Sequence, residues 1–157
     1  MLPETLLIGK KVRMNFLNNK TQELWKSFMP RRKEILNSIG TDLYSVEVYD
    51  SPSYFDAFSP ATEFEKWAAI KVENKDSIPK EMEGLTIPAG LYAVFIFKGK
   101  AGEAPAFYRY ILGTWLPSSE YHIDHRPHFA VMGEKYKNND LDSEEEFWVP
   151  IKPRGKD

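Results

Sequence analysis

Five aromatic residues, Tyr44, Trp67, Tyr92, Phe129 and Trp148, and two carboxylates, Glu103 and Glu134, carry the chemistry that this chain offers. A surplus of aromatic faces beside a few placed carboxylates describes a pocket for a flat or cationic organic molecule better than a catalytic machine. Each ring facing a cation contributes about 0.5–2 kcal/mol, more as water is excluded. The competing reading is a packed core, because alternate residues of a strand face opposite sides and aromatics are usually buried for their area. His122, His125 and His128 form an HxxHxxH spacing around Asp124 that would suit zinc. Pro127 interrupts regular geometry there, so three surface histidines, an exposed Arg126 and no metal are the expectation. No dinucleotide fingerprint, phosphate loop or serine elbow is present, so no cofactor is implied. The Glu144-Glu145-Glu146 run reads as a solvated face.

The elements that must position these residues repeat one order. Glu4 to Phe16 reads as a strand, and Asn19 followed by Gln22 resembles a helix start. Leu24, Phe28, Ile35 and Ile39 recur at helical spacing up to Gly40, with either a kink at Pro30 or a helix that begins later than the pattern suggests. Leu43 to Asp50 and Lys66 to Val72 then read as strands. In the second half Leu91 to Lys98 is a strand, and Pro105 opens a helix that carries Phe107, Ile111 and Trp115 on one face and stops at Pro117. His128 to Tyr136 and Phe147 to Lys152 complete the second unit as strands. ExExWxxIK is spelled twice, by Glu63, Glu65, Trp67, Ile70 and Lys71 and by Glu144, Glu146, Trp148, Ile151 and Lys152. The pattern predicts a single α+β domain over 1–157, a pseudo-twofold duplication of a β-α-β-β unit with half-repeats at 4–73 and 90–152. An antiparallel sheet, two main helices and a central cleft would follow. The polar Asn74 to Ala89 segment reads as the join.

The 157 residues are 42% hydrophobic and 14% aromatic, enough for a packed interior. A formal net charge of −2 leaves no electrostatic footprint for nucleic acid, and Arg31-Arg32-Lys33 is too short a basic run to change that. The chain has no cysteine, and it shows neither a signal-peptide pattern nor a membrane span, so a cytoplasmic protein is expected.

The second half resembles the GyrI-like small-molecule-binding domain, the effector-sensing module of AraC-type and MerR-type multidrug regulators that also occurs free-standing. The likeness rests on Gly90-Leu91-Tyr92-Ala93-Val94-Phe95, Thr114-Trp115-Leu116-Pro117, Arg126-Pro127-His128-Phe129 and Glu146-Phe147-Trp148-Val149-Pro150-Ile151-Lys152. FMPRRKEI and FEKWAA extend it over the first half. The resemblance implies two β-α-β-β repeats around an aromatic cleft for lipophilic, often cationic, compounds. Some free-standing members resemble hydrolases of strained natural products. Family members commonly carry a glutamate after the aromatic of the RPHF-type segment, where this chain has Ala130. Alanine can neither neutralise a cation nor act as acid or base, which argues against an enzyme. Glu134, on the same face of the predicted strand but about 13 Å along it, is the substitute carboxylate. Glu103 corresponds to an acidic position before the second helix of hydrolytic relatives.

The implied ligand-facing set is therefore Tyr44, Trp67, Tyr92, Phe129, Ala130, Met132, Glu134 and Trp148. The expected function is a free-standing binding protein for lipophilic, including cationic, small molecules. A hydrolase using Glu103 or Glu134 and a protein-sequestering inhibitor are the alternatives. A homodimer through sheet edges is compatible with the pattern but not demanded by it. On this reading, alanine at Trp67 or Tyr92 weakens binding while the fold survives.

Overall fold

The computed structural model describes residues 2–50, 61–100, 103–133, 136 and 141–154. Glu134 lies outside them. Strand β1 (Thr5–Met14) is followed by helix α1 (Thr21–Phe28), then β2 (Ser38–Val48), β3 (Phe64–Val72), β4 (Glu83–Ile87) and β5 (Tyr92–Lys98). Helix α2 (Ala104–Tyr110) continues through a wide π turn at Ile111–Trp115 into a last turn at Leu116–Ser118. Strands β6 (Tyr121–Ile123), β7 (His128–Met132) and β8 (Glu144–Pro153) follow.

All strands join one antiparallel sheet in the order β4-β1-β3-β2-β7-β8-β5, with β6 on β8. This is the α+β architecture expected. The first half contributes β1-β3-β2 and the second β7-β8-β5, so the halves meet where β2 pairs with β7. Five strand spacings separate β1 from β5, about 24 Å if the sheet were flat. Yet Leu2 and Gly90, just before those strands, exchange backbone hydrogen bonds of 2.8 and 3.0 Å. The few residues between them and the strands reach only about 17 Å. The sheet must therefore curl.

Alternation splits the apolar residues between two faces. One face packs Leu7, Val46, Trp67, Ala69, Ile87, Tyr92, Phe129 and Val131, with Tyr44 and Trp148 against them. Leu2 belongs to this cluster, so the curl closes around the aromatic side. The opposite face is covered by the helices. Leu24 and Phe28, one turn apart on α1, pack with Ile8, Ala68 and Val72. Phe28 is fully buried, worth about 1.5–3 kcal/mol. Ile111 and Phe107 pack with Phe97, Phe147 and Val149.

Several boundaries differ from the pattern. Asn19 does not build a capping box; its side chain accepts the N–H of Thr21 at 3.0 Å, and Lys20 holds the cap position. Instead of kinking at Pro30, the helix ends at Phe28 and tightens into a 3₁₀ turn over Met29–Glu34. Ile39 and Gly40 belong to β2, with Gly40 at φ 71° beside the irregularity in the β2–β3 pairing. Tertiary pairing overrides helical spacing there. The Asn74 to Ala89 join contains β4, which pairs with β1. Short strands without apolar alternation, such as β4 and β6, leave little trace in a sequence.

Candidate ligand-binding site

The curled face brings four of the expected aromatics into direct contact. Phe129 on β7 and Trp148 on β8 stand opposite each other, stacked at 5.3 Å and 14°. Tyr44 meets Phe129 at 5.8 Å, and Tyr92 meets Phe129 at 5.4 Å and Trp148 at 6.0 Å. Trp67 shares the face but is only 2% exposed, a core residue first. Tyr44 and Trp148 are half-buried and present the accessible rings.

Ala130 alternates with Phe129 and joins the α2 side of the sheet, near Phe107 and Phe147. Met132 shares the parity of Ala130, opposite Leu43. Neither shares the aromatic face. Glu103 sits at the cap position before α2, exposed, and its carboxylate accepts the N–H of Lys100 at 3.1 Å, the role of a turn-closing side chain.

Two carboxylates that the sequence reading did not assign to the site lie on the aromatic face. Glu65 accepts the indole N–H of Trp67 at 2.6 Å, and Glu146 accepts that of Trp148 at 3.1 Å. In each case the glutamate precedes its tryptophan by two residues on one strand, the spacing that puts both on one face. The repeated ExExWxxIK string held that signal. Taking the acidic run as solvated charge hid Glu146, whose charge reaches far enough to help burial raise the Tyr44 phenol. Among the described residues Glu146 has no ion-pair partner. Glu65 does have one, Lys11, at 3.6 Å.

Arg126 is half-buried rather than exposed, with 12% of its side chain accessible. It donates to the Leu91 and Ile151 carbonyls at 2.6 and 3.2 Å and to Asp124 at 3.0 Å. Its guanidinium lies 4.6 Å from the Tyr92 ring centroid and fills the space where a side chain at residue 90 would be. Tyr92 donates to the Pro127 carbonyl at 3.0 Å, and burial pushes its phenol up to about 12 against the pull of Arg126. This group fixes Tyr92 on the aromatic face.

The three histidines separate. His122 pairs with Lys152 at the β6–β8 edge, and His125 Nε2 lies 3.0 Å from the Tyr49 carbonyl. His128 is 3% exposed on the helix side, not on the surface, and its Nδ1 shares a hydrogen bond with the Tyr108 hydroxyl. Burial drives its imidazole down to about 4, against the attraction of Glu47. Burial would also raise the Glu47 carboxyl, but Lys66, 3.1 Å away, with Tyr49 and His128 holds it below the usual range. This buried cluster ties β2, β3, β7 and α2 together. Among the described residues no group of three metal-ligating side chains occurs, and no helix is long and apolar enough to cross a membrane.

The same fold is seen in known structures. SAV2435 bound to tetraphenylphosphonium matches with a TM-score of 0.70 and 16% identity, covering 96% of this chain and 90% of that one. The EcmrR C-terminal domain matches with a TM-score of 0.68 and 15% identity, covering 97% and 94%. A hydrolase encoded by lin2189 from Listeria innocua matches with a TM-score of 0.57 and 11% identity, covering 96% and 89%. At these identities the likeness is one of fold. No curated protein sequence matches the chain. Residues 1–152 match the model of the GyrI-like small molecule binding domain, and the chain belongs to that family.

Proposed function

We propose that the protein binds lipophilic organic cations on its aromatic face, with the positive centre at Glu146 and Trp148 and aryl groups against Tyr44, Tyr92 and Phe129. The observation that carries this reading is the Glu146–Trp148 pair. A half-buried carboxylate without an ion-pair partner among the described residues is held at the rim of stacked rings. A hydrated cation gains little there, because it loses water for one carboxylate. A cation with delocalised charge and apolar substituents loses less and gains the rings as well. The likeness to SAV2435, a protein seen with tetraphenylphosphonium, supports the ligand class. The rings now contact one another, so a ligand must part Tyr44 and Trp148 from Phe129 to seat itself.

Tetraphenylphosphonium titrated into the protein, followed by tryptophan fluorescence and thermal shift together, tests this. A ligand that binds only the folded state raises its stability by mass action, so both signals must move. Saturable binding that weakens about tenfold in Glu146→Gln is expected. Binding unaffected by that change would place the site elsewhere.

A further inference from the structure

Register shows that the two Glu-x-Trp pairs are built alike but provisioned differently. On β1, Lys11 stands opposite Trp67 and Arg13 opposite Glu65. On β5, the matching positions opposite Trp148 and Glu146 are Val94 and Ile96. The first pair is thus served from within the chain. The Lys11 ammonium lies 5.8 Å from the Trp67 ring centroid, 3.6 Å from Glu65 and 3.2 Å from Glu83. Arg13 is bound to both oxygens of Asp50 at 2.9 and 2.7 Å. The second pair has two apolar neighbours instead, 45% and 55% exposed.

We infer that Lys11 is a built-in counter-cation that occupies the first of two like-spaced Glu-Trp cradles, so that the protein takes ligands carrying one positive charge, seated in the second, less buried cradle. This rests on the aromatic face being the ligand site. The physical reason is that Lys11 already does at Trp67 and Glu65 what a ligand would do at Trp148 and Glu146. It places a cation over an indole whose N–H is donated to a carboxylate. Filling the first cradle removes its attraction for a second cation. Val94 and Ile96 on the other flank offer Glu146 no counter-charge, none is paired with it among the described residues, and they give aryl groups an apolar surface to cover. Lys11 is therefore a specificity-determining residue, although it stands across the sheet from the bound ligand.

The test is a rescue. Tetraphenylphosphonium affinity is measured by calorimetry for the wild type, Glu146→Gln, Lys11→Met, and the Lys11→Met/Glu146→Gln double variant. Lys11→Arg serves as a control that keeps the charge, and melting curves confirm folding of each. Glu146→Gln is expected to lose about tenfold in affinity. Adding Lys11→Met is expected to restore at least half of that loss logarithmically, because the first cradle opens. A further Glu65→Gln change should abolish the restored binding, and Lys11→Arg should not rescue. A double variant as weak as Glu146→Gln, beside a wild type that binds, overturns the role of Lys11 and leaves the functional reading standing. A wild type that does not bind, with a Lys11→Met variant that does, sinks the second cradle but keeps Lys11 as the occupant of the first. Absence of binding in every variant overturns both.

Discussion

Phe129 and Trp148 face each other across the β7–β8 ladder, 5.3 Å apart and nearly parallel at 14°. This stack lies beside the β2–β7 seam where the two halves of the chain meet, and it separates a core ring, 5% exposed, from a half-buried one. That difference in burial sorts the site residues into those that hold the fold and those free to meet a ligand.

Trp67→Ala and Trp148→Ala should therefore behave differently. Trp67 is enclosed by Leu7, Val46 and Ala69, and its truncation is expected to cost about 3–5 kcal/mol. Urea unfolding should show that loss directly. Trp148→Ala should lose less stability and more affinity for tetraphenylphosphonium. Equal losses of stability in both would remove the distinction.

Charge selectivity should follow Glu146. Glu146→Gln keeps the volume and an acceptor for the Trp148 indole, so stability should change little. Affinity for a lipophilic cation should fall about tenfold, near 1.4 kcal/mol, while a neutral compound of similar shape binds unchanged. Parallel titrations with tetraphenylphosphonium and tetraphenylmethane-like neutral analogues in a solubilising buffer would show whether charge is read at all.

The pH dependence of stability should carry two opposed contributions. Burial pushes the Glu145 carboxyl up to about 7, against the pull of Lys66. Its unfolded counterpart ionises near 4.5, so the native state loses stability as pH rises from 4.5 through 7 and the penalty is complete above that. Glu145→Gln should raise the melting temperature by several degrees at pH 8 and leave it unchanged at pH 4. A pH-independent effect of the substitution would contradict this.

His128 works the other way. Its imidazole is held neutral down to about 4, whereas the unfolded chain takes up a proton near 6.5. The His128 contribution is complete above pH 6.5 and is lost as pH falls through 4. His128→Gln should flatten that acid limb in thermal melts between pH 6.5 and 4. An acid limb as steep as in the wild type would assign the acid sensitivity to other groups.

Gly9 offers a check on the sheet itself. A Cβ there would lie 2.0 Å from the Ala68 carbonyl oxygen and 2.6 Å from the Ala69 Cα, both backbone or near-backbone atoms of the paired strand. Gly9→Ala should force β1 and β3 apart and cost several kcal/mol, on the order of an overpacked core. A melting temperature within a degree of the wild type would mean that the two strands pair less closely.

Much of the architecture was legible because it depends on local pattern. Leu24 and Phe28 at helical spacing, the alternation of Tyr44, Val46 and Val48, and the closing runs through Trp67 and Trp148 each specify an element by its own residues. The aromatic set was legible for the same reason. Ala130 and Phe129 show where this stops. They are neighbours in sequence and on opposite faces in the fold, and only pairing with β2 and β8 decides which face the curled sheet encloses. The roles of Lys11 and Val94 were likewise invisible, since each is defined by the residue across the ladder, Trp67 in one case and Trp148 in the other. Period-two alternation assigns a side chain to a face, but its partner on the next strand is set by register, which the chain acquires only on folding.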